Sequence, residues 1–156
     1  MTIKNVLIFL DFDGVLHPVC PRDDLPASES QPFCYLPRLA QVLQDFPGIE
    51  IVITSTWRLH RDLDQLREMF PVELRGKIVG ATAELVADER FGGRELEALA
   101  WRDQHRPGAQ WVALDDLTTA WPTTERLVLC FDGFRDAEEA RMRTLLTAFA
   151  AQTYPA

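Results

Sequence analysis

The chain has 156 residues, a length typical of one domain, and its mixture of 47% hydrophobic and 26% charged residues excludes wholesale disorder. Sixteen Lys and Arg are outnumbered by 24 Asp and Glu, so the formal net charge is −8. This acidity argues against stand-alone binding to nucleic acid or to an anionic membrane surface, because both need a basic face.

Cysteine usage and the first apolar run predict the cellular compartment. Cys20, Cys34 and Cys130 form no CxxC pair, which argues against a disulfide framework and against a zinc site. Asp11 interrupts the first apolar run, which makes the run a poor secretory signal, and no segment approaches the ~20 apolar residues of a membrane span. We therefore expect a cytoplasmic protein in which residues 1–156 form a single domain.

Short apolar runs alternate with amphipathic segments along the chain. Runs rich in Val and Ile are typical of strands covered on both faces of a parallel sheet. They span residues 6–10, 49–53, 77–79, 111–114 and 127–131. Apolar residues at helical spacing predict helices over 36–46, 59–70, 96–100 and 142–149. This order predicts an α/β fold with an open, doubly wound, Rossmann-like parallel sheet of five strands and helices on both faces.

Two local features qualify this pattern. Residues 17–35 contain four prolines and show no period, so we predict a long loop or small flap near the functional site. Asp136 and Glu139 resemble a capping box at the start of the last helix.

Polar residues follow three of the predicted strands, at the edge of the sheet where ligands of α/β proteins bind. They are Asp11, Asp13 and Gly14 after the first strand, Thr54, Ser55 and Arg58 after the second, and Asp115 and Asp116 after the fourth. Carboxylates this crowded need a cation, and an all-oxygen set without His or Cys favours Mg²⁺.

Each of these patterns also has a purely structural explanation. Asp and Gly favour turns, so a lone DxDG segment is most commonly a solvated turn. Thr54 or Ser55 can cap the helix that follows, and the Asp115 and Asp116 pair can do the same. His17 follows the turn after the first strand and could touch a substrate, but a structural hydrogen bond is the expected role. The four tryptophans are expected to pack in the core or at its edge. The coincidence of three such strand ends favours a catalytic site.

The same segments resemble the motifs of a known family. LDFDGVL after an apolar strand resembles motif I of the haloacid-dehalogenase-like (HAD) phosphohydrolases, IVITS resembles motif II, and WVALDD resembles motif IV. The resemblance extends over about residues 5–116 in the family's order. STWR and WVALDD are more particularly similar to the small HAD domain of polynucleotide- or RNA-repair-type modular proteins. The short intervals between the motifs leave no room for a large cap domain.

The resemblance implies a role for each matching residue. Asp11 would be the nucleophile that forms an aspartyl-phosphate, and Asp13 would be the general acid and then the base. Thr54 would hold a phosphoryl oxygen. The remaining substrate contacts would be Gly14, Ser55 and Arg58. The Mg²⁺ ligands would be Asp11, Asp13 (through its carbonyl), Asp115 and Asp116.

The family also places a basic residue between motifs II and IV. Arg94, which precedes Asp115 by 21 residues and lies near a predicted helix start, is our choice for it. Lys77 and Arg58 remain alternatives.

The implied function is a Mg²⁺-dependent phosphomonoesterase that works through an aspartyl-phosphate. A site without a cap suits a bulky phosphorylated substrate, such as a nucleotide or a polynucleotide end, although the acidic charge would then require a basic surface from another chain. Two alternatives remain: a catalytically silent HAD-fold binding module, and a receiver-like phospho-acceptor domain. The latter fits poorly, because no acceptor Asp follows the third predicted strand.

Overall fold

The structure is a computed structural model, and it describes residues 3–152. Five parallel strands form one sheet in the order β3-β2-β1-β4-β5. The strands are β1 (Val6–Leu10), β2 (Ile49–Ile53), β3 (Ile78–Ala81), β4 (Gln110–Asp115) and β5 (Leu127–Leu129). The helices are α1 (Leu36–Asp45), α2 (Leu63–Glu68), α3 (Val72–Arg75), α4 (Gly93–His105) and α5 (Asp136–Ala151). The predicted fold class is therefore confirmed.

The central strand β1 is buried on both faces and separates two apolar layers. Ile8 and Leu10 belong to the larger layer, which includes buried residues of α1, α2, α3 and α5. Leu7 and Phe9 face the smaller layer, to which α4 contributes Ala98. This two-sided burial explains why the strands are continuous apolar runs rather than alternating ones. Within residues 3–152, no helix is long and apolar enough to cross a membrane.

The prediction of one continuous helix over residues 59–70 is wrong, because the structure divides this segment between two shorter helices. Leu59 ends a short 3₁₀ helix (Thr56–Leu59), and α2 begins only at Leu63. The cause is a capping box, because Asp62 accepts the Gln65 backbone N–H at 2.8 Å and the Gln65 side chain accepts the Asp62 N–H at 2.9 Å. The chain then turns at Pro71 into α3, where a proline at the helix start costs no hydrogen bond.

The predicted capping box of the last helix is also displaced. Asp136 is the first helical residue, and the Arg135 backbone N–H donates to Glu138 at 3.2 Å. The glutamate that reaches back is thus one residue earlier than Glu139. A helix start is the part of an element that sequence patterns locate least well.

Residues 17–35 form a loop that contains one 3₁₀ helix (Ala27–Ser30). The loop is fastened to the connection between β5 and α5. Val19 donates its N–H to Asp132 at 2.7 Å, and the Arg135 guanidinium donates to the Tyr35 hydroxyl at 2.8 Å. These bonds hold the loop at the carboxyl edge of the sheet, because β5 ends just before Asp132.

Candidate active site

The register of the sheet aligns the residues that follow β1, β2 and β4. Leu10 pairs with Ile53 on one side and with Leu114 on the other. The next residues are Asp11 and Thr54, whose N–H groups donate to the carbonyls of Leu114 and Leu10 at 3.1 and 2.9 Å. Asp115 therefore lies beside Asp11, and Thr54 lies on its other side.

Three carboxylates meet at this edge. Asp11, Asp115 and Asp116 each offer an oxygen within 4.8 Å of the other two, and Asp11 and Asp115 are buried. Burial, followed by the charge of Asp115, raises the pKa of Asp11 to about 8. The same two causes raise the pKa of Asp116 to about 6. Ionisation of all three acids would thus place more negative charge here than the surroundings neutralise, which is the setting in which carboxylates bind a cation.

Arg94, at the start of α4, lies between the first and fourth strand ends. Its Nη1 is 2.6 Å from Asp115 Oδ2 and 3.1 Å from Asp11 Oδ2. Burial opposes the charge of Arg94, but attraction to the two carboxylates raises its pKa above the usual value. Lys77, an alternative for the same role, directly precedes β3 at the opposite edge of the sheet. Of the three candidates, Arg94 is therefore the one that the structure brings to Asp11.

Arg58, which was expected to contact substrate, is bonded to residues of the protein itself. Its guanidinium donates to the backbone carbonyls of Thr54 and Thr82, both at 2.8 Å, and to Ser55 at 3.2 Å. Its remaining nitrogen bonds Glu89 at 2.8 Å and Glu97 at 3.3 Å. The five donors of the side chain thus have five acceptors, and only 2% of it is exposed. Arg58 fastens the segment after β2.

Asp13 is held by two side-chain donors. Its Oδ1 is 2.8 Å from His17 Nε2, and its Oδ2 accepts the Trp57 indole N–H at 2.9 Å. The structural hydrogen bond expected of His17 is therefore present. Trp57 packs at the edge of the core as expected, but its N–H also reaches the candidate site.

The two hydroxyl residues after β2 differ in what they bond. Thr54 is 1% exposed, and its Oγ1 has no hydrogen-bond partner among residues 3–152. A buried hydroxyl without a partner is costly, and a hydrogen bond to a ligand at the edge would offset that cost. Ser55 caps the 3₁₀ helix instead, because its Oγ accepts the Trp57 backbone N–H at 3.4 Å.

The backbone of Gly14 lies close to the side chain of Asp116. Its φ is +79°, and a Cβ at this position would lie 2.8 Å from Asp116 Cγ. Only glycine combines this backbone conformation with this contact.

Besides the Trp57 hydrogen bond, sequence reasoning missed two further residues that support the site. The buried Trp121 donates its indole N–H to Asp115 Oδ2 at 2.9 Å. Glu89 bridges two cations, with Oε1 2.8 Å from Arg58 Nη2 and Oε2 3.1 Å from Arg94 Nε. No spacing in the sequence signals either contact, because both join segments that only the folded chain brings together.

A five-stranded parallel sheet with acids after β1 and β4, a hydroxyl after β2 and an arginine between the acids agrees with the HAD-type arrangement that the sequence motifs resemble. A family model described as the HAD domain in Swiss Army Knife RNA repair proteins matches residues 7–138. The chain belongs to this family. A search of the curated proteins and a search of the solved structures found no match to the chain.

Proposed function

We propose that this chain is a Mg²⁺-dependent phosphomonoesterase that forms an aspartyl-phosphate on Asp11. The observation that carries the proposal is the position of Arg94, whose Nη1 contacts both Asp11 and Asp115. A cation at this point can screen an anionic nucleophile from an anionic phosphoryl group, and that repulsion is the main obstacle to their reaction.

The acidic cluster fits a magnesium ion. Arg94 supplies one positive charge to three carboxylates, and the pKa values of Asp11 and Asp116 remain raised in its presence. The donors are oxygens, with neither His nor Cys in the cluster that the described residues form, which suits a hard ion. Asp11, Asp115 and Asp116, with the carbonyl of Asp13, would hold it. Bound Mg²⁺ would neutralise charge on the phosphoryl oxygens and orient them.

In the first half of the reaction, an oxygen of Asp11 attacks phosphorus and the bond from phosphorus to the ester oxygen breaks. Asp11 Oδ1 accepts the Phe12 backbone N–H at 2.9 Å, which fixes the carboxylate in one orientation. Asp13 gives its proton to the departing oxygen. The free hydroxyl of Thr54 donates to a phosphoryl oxygen. The products of this half are the alcohol and the aspartyl-phosphate.

In the second half, water attacks the phosphorus of the aspartyl-phosphate. Asp13, now ionised, takes a proton from that water. The bond between phosphorus and the Asp11 oxygen breaks, which releases inorganic phosphate and restores both carboxyl groups to their starting states.

The proposed substrate is a nucleotide, a polynucleotide end or another bulky phosphoester. The family occurs in RNA repair proteins, which supports a polynucleotide end. A net charge of −8 would weaken such binding, so a further basic chain or domain would have to supply contacts to the nucleic-acid backbone. The three cysteines are free, which suits a proposed cytoplasmic location.

The strand order favours this proposal over a receiver-like domain. Receiver-type proteins have the order 2-1-3-4-5, whereas this sheet has the order 3-2-1-4-5. A catalytically silent HAD-fold module is the remaining alternative, and an activity measurement separates it from an enzyme.

The test measures phosphate release from p-nitrophenyl phosphate and from 5′- and 3′-phosphorylated oligonucleotides, with Mg²⁺ and with EDTA. Wild-type protein and an Asp103→Asn control on the exposed side of α4 should release phosphate, and Asp11→Asn should not. Acid quenching followed by mass spectrometry should find one phosphoryl group on Asp11. Mg²⁺ binding without phosphate release on any substrate would identify a silent module.

A further inference from the structure

The Asp13 carboxyl is unusual among the acids of the site because both of its oxygens are held by side chains. His17 Nε2 lies 2.8 Å from Oδ1, and Trp57 Nε1 lies 2.9 Å from Oδ2. Asp13 is also far more exposed than Asp11, with 46% of its side chain accessible against 7%. A carboxyl this exposed would ordinarily exchange between rotamers, so two donors on opposite oxygens restrict it to one.

The backbone determines which nitrogen of His17 carries the proton. The Phe33 backbone N–H donates to His17 Nδ1 at 3.1 Å. Nδ1 must therefore present a lone pair, and the proton of the neutral ring lies on Nε2, which faces Asp13. His17 is thus a donor to Asp13 Oδ1, as Trp57 is a donor to Oδ2.

Both donors are themselves held by packing. The His17 ring stacks on Phe33 with centroids 5.4 Å apart. The Trp57 ring contacts Phe12 edge-on at 5.4 Å and Phe33 at 5.7 Å. Phe33 belongs to the loop over residues 17–35, so this loop packs against both donors of Asp13.

We propose that His17 and Trp57 are positioning residues that hold the Asp13 carboxyl toward the leaving oxygen of the substrate. The inference rests on the proposed phosphatase function. Each Asp13 oxygen accepts one side-chain bond and retains a second lone pair, which can carry the proton that passes to the leaving group. The two residues act through Asp13 and make no bond to the substrate.

Leaving-group dependence distinguishes positioning from a general structural role. An alkyl phosphate needs protonation of its leaving oxygen, whereas p-nitrophenolate leaves with little help. His17→Phe and Trp57→Phe should lower kcat on the alkyl phosphate about tenfold or more, up to the ~10²–10⁴-fold that the whole general acid contributes. On p-nitrophenyl phosphate the loss should stay below about threefold, and KM should change little for either substrate.

Two further variants sharpen the comparison. His17→Gln keeps an N–H near the position of Nε2 and should recover most of the activity on the alkyl phosphate. Trp101→Phe is the matched control, because Trp101 also packs on a histidine, His105, at 4.5 Å, but on α4. It should leave the ratio of the two rates unchanged. Thermal midpoints of all variants identify any that fold poorly.

The outcomes separate the inference from the function on which it rests. If wild-type protein turns over both substrates and the variants lose both equally, or lose neither, His17 and Trp57 do not position Asp13. If wild-type protein turns over neither substrate, the proposed function fails and the inference fails with it. ¹⁵N NMR of the His17 imidazole identifies the protonated ring nitrogen independently of activity. A proton on Nε2 is expected, and a neutral ring with its proton on Nδ1 would overturn the inference.

Discussion

Gly14 lies directly against the carboxyl group of Asp116, so closely that a side chain on Gly14 would occupy the same space. A Cβ there would be 2.8 Å from Asp116 Cγ, and the backbone has a φ of +79°. A larger residue in the turn after β1 would therefore be strained and would displace the carboxyl group of Asp116 after β4. The contact couples the position of a candidate metal ligand to the backbone of motif I.

Gly14→Ala should therefore weaken Mg²⁺ binding as well as stability. The left-handed conformation costs an alanine about 1–2 kcal/mol, and the added methyl displaces Asp116. Gly108→Ala is the matched control, because Gly108 has a φ of +77° and no atom within 4 Å of a Cβ. Urea unfolding and calorimetric Mg²⁺ titration compare the two. Equal Mg²⁺ affinities would show that the contact with Asp116 does not matter.

Asp11→Asn should abolish turnover and stabilise the metal-free protein at alkaline pH. The folded-state pKa of Asp11 is raised to about 8 from 3.8, so the folded protein holds a proton that the unfolded chain has lost. The free energy of unfolding should consequently fall as the pH rises from about 4 to about 8. Thermal unfolding in EDTA across this range measures the fall, which should be smaller in Asp11→Asn. A steeper fall in the variant would contradict the assignment.

Asp13→Asn should slow the enzyme without preventing Mg²⁺ binding, because the backbone carbonyl of residue 13 remains in place. Loss of the general acid should reduce the rate on alkyl phosphates by roughly 10²–10⁴-fold, and less on aryl phosphates in the first step. The aspartyl-phosphate should also persist longer, since Asp13 would activate the hydrolytic water. Single-turnover quench experiments measure both effects. Equal losses on both substrates with no longer-lived intermediate would leave Asp13 a structural role only.

Removal of divalent metal should abolish activity, and Mg²⁺ should restore it. Excess Ca²⁺ should inhibit, because Ca²⁺ takes more ligands at longer distances and disturbs the alignment of Asp11 with phosphorus. Phosphate release in EDTA, in Mg²⁺ and in Mg²⁺ with increasing Ca²⁺ tests this. Undiminished activity in EDTA would rule out a metal-dependent reaction.

Glu89→Gln should lower both stability and kcat, because Glu89 joins Arg94 to Arg58. Loss of charged hydrogen bonds of this kind costs about 2 kcal/mol, and a displaced Arg94 would screen Asp11 less well. Asp88→Asn is the control, since Asp88 lies next in the chain but pairs with the exposed Arg90. Urea unfolding and steady-state kinetics report the difference. Matching behaviour of the two variants would mean that Glu89 does not support Arg94.

The apolar runs and the polar residues that follow them were sufficient to predict the sheet and the edge at which the site lies. Strands β1 and β2 coincide with the apolar runs at 6–10 and 49–53, because strands buried on both faces must be apolar throughout. The other three strands shift by one or two residues at their ends. Strand β5 stops at Leu129 rather than at Phe131, which is 72% exposed, because its pairing with β4 ends there. Parallel strands end at a common edge, so Asp11, Thr54 and Asp115 could be expected together.

The side chains that support these residues could not be predicted, because their contacts depend on how the segments fold together. The sequence favoured Arg94 as the basic residue and left Lys77 and Arg58 as alternatives, and the fold separates the three. Arg94 lies between Asp11 and Asp115, Lys77 lies at the opposite edge of the sheet, and Arg58 is held by backbone carbonyls. The indole N–H groups of Trp57 and Trp121 likewise reach acids 44 and 6 residues away. Periodicity in a sequence reports which face of an element is buried, whereas the direction of a long polar side chain depends on the acceptors that neighbouring segments bring to it.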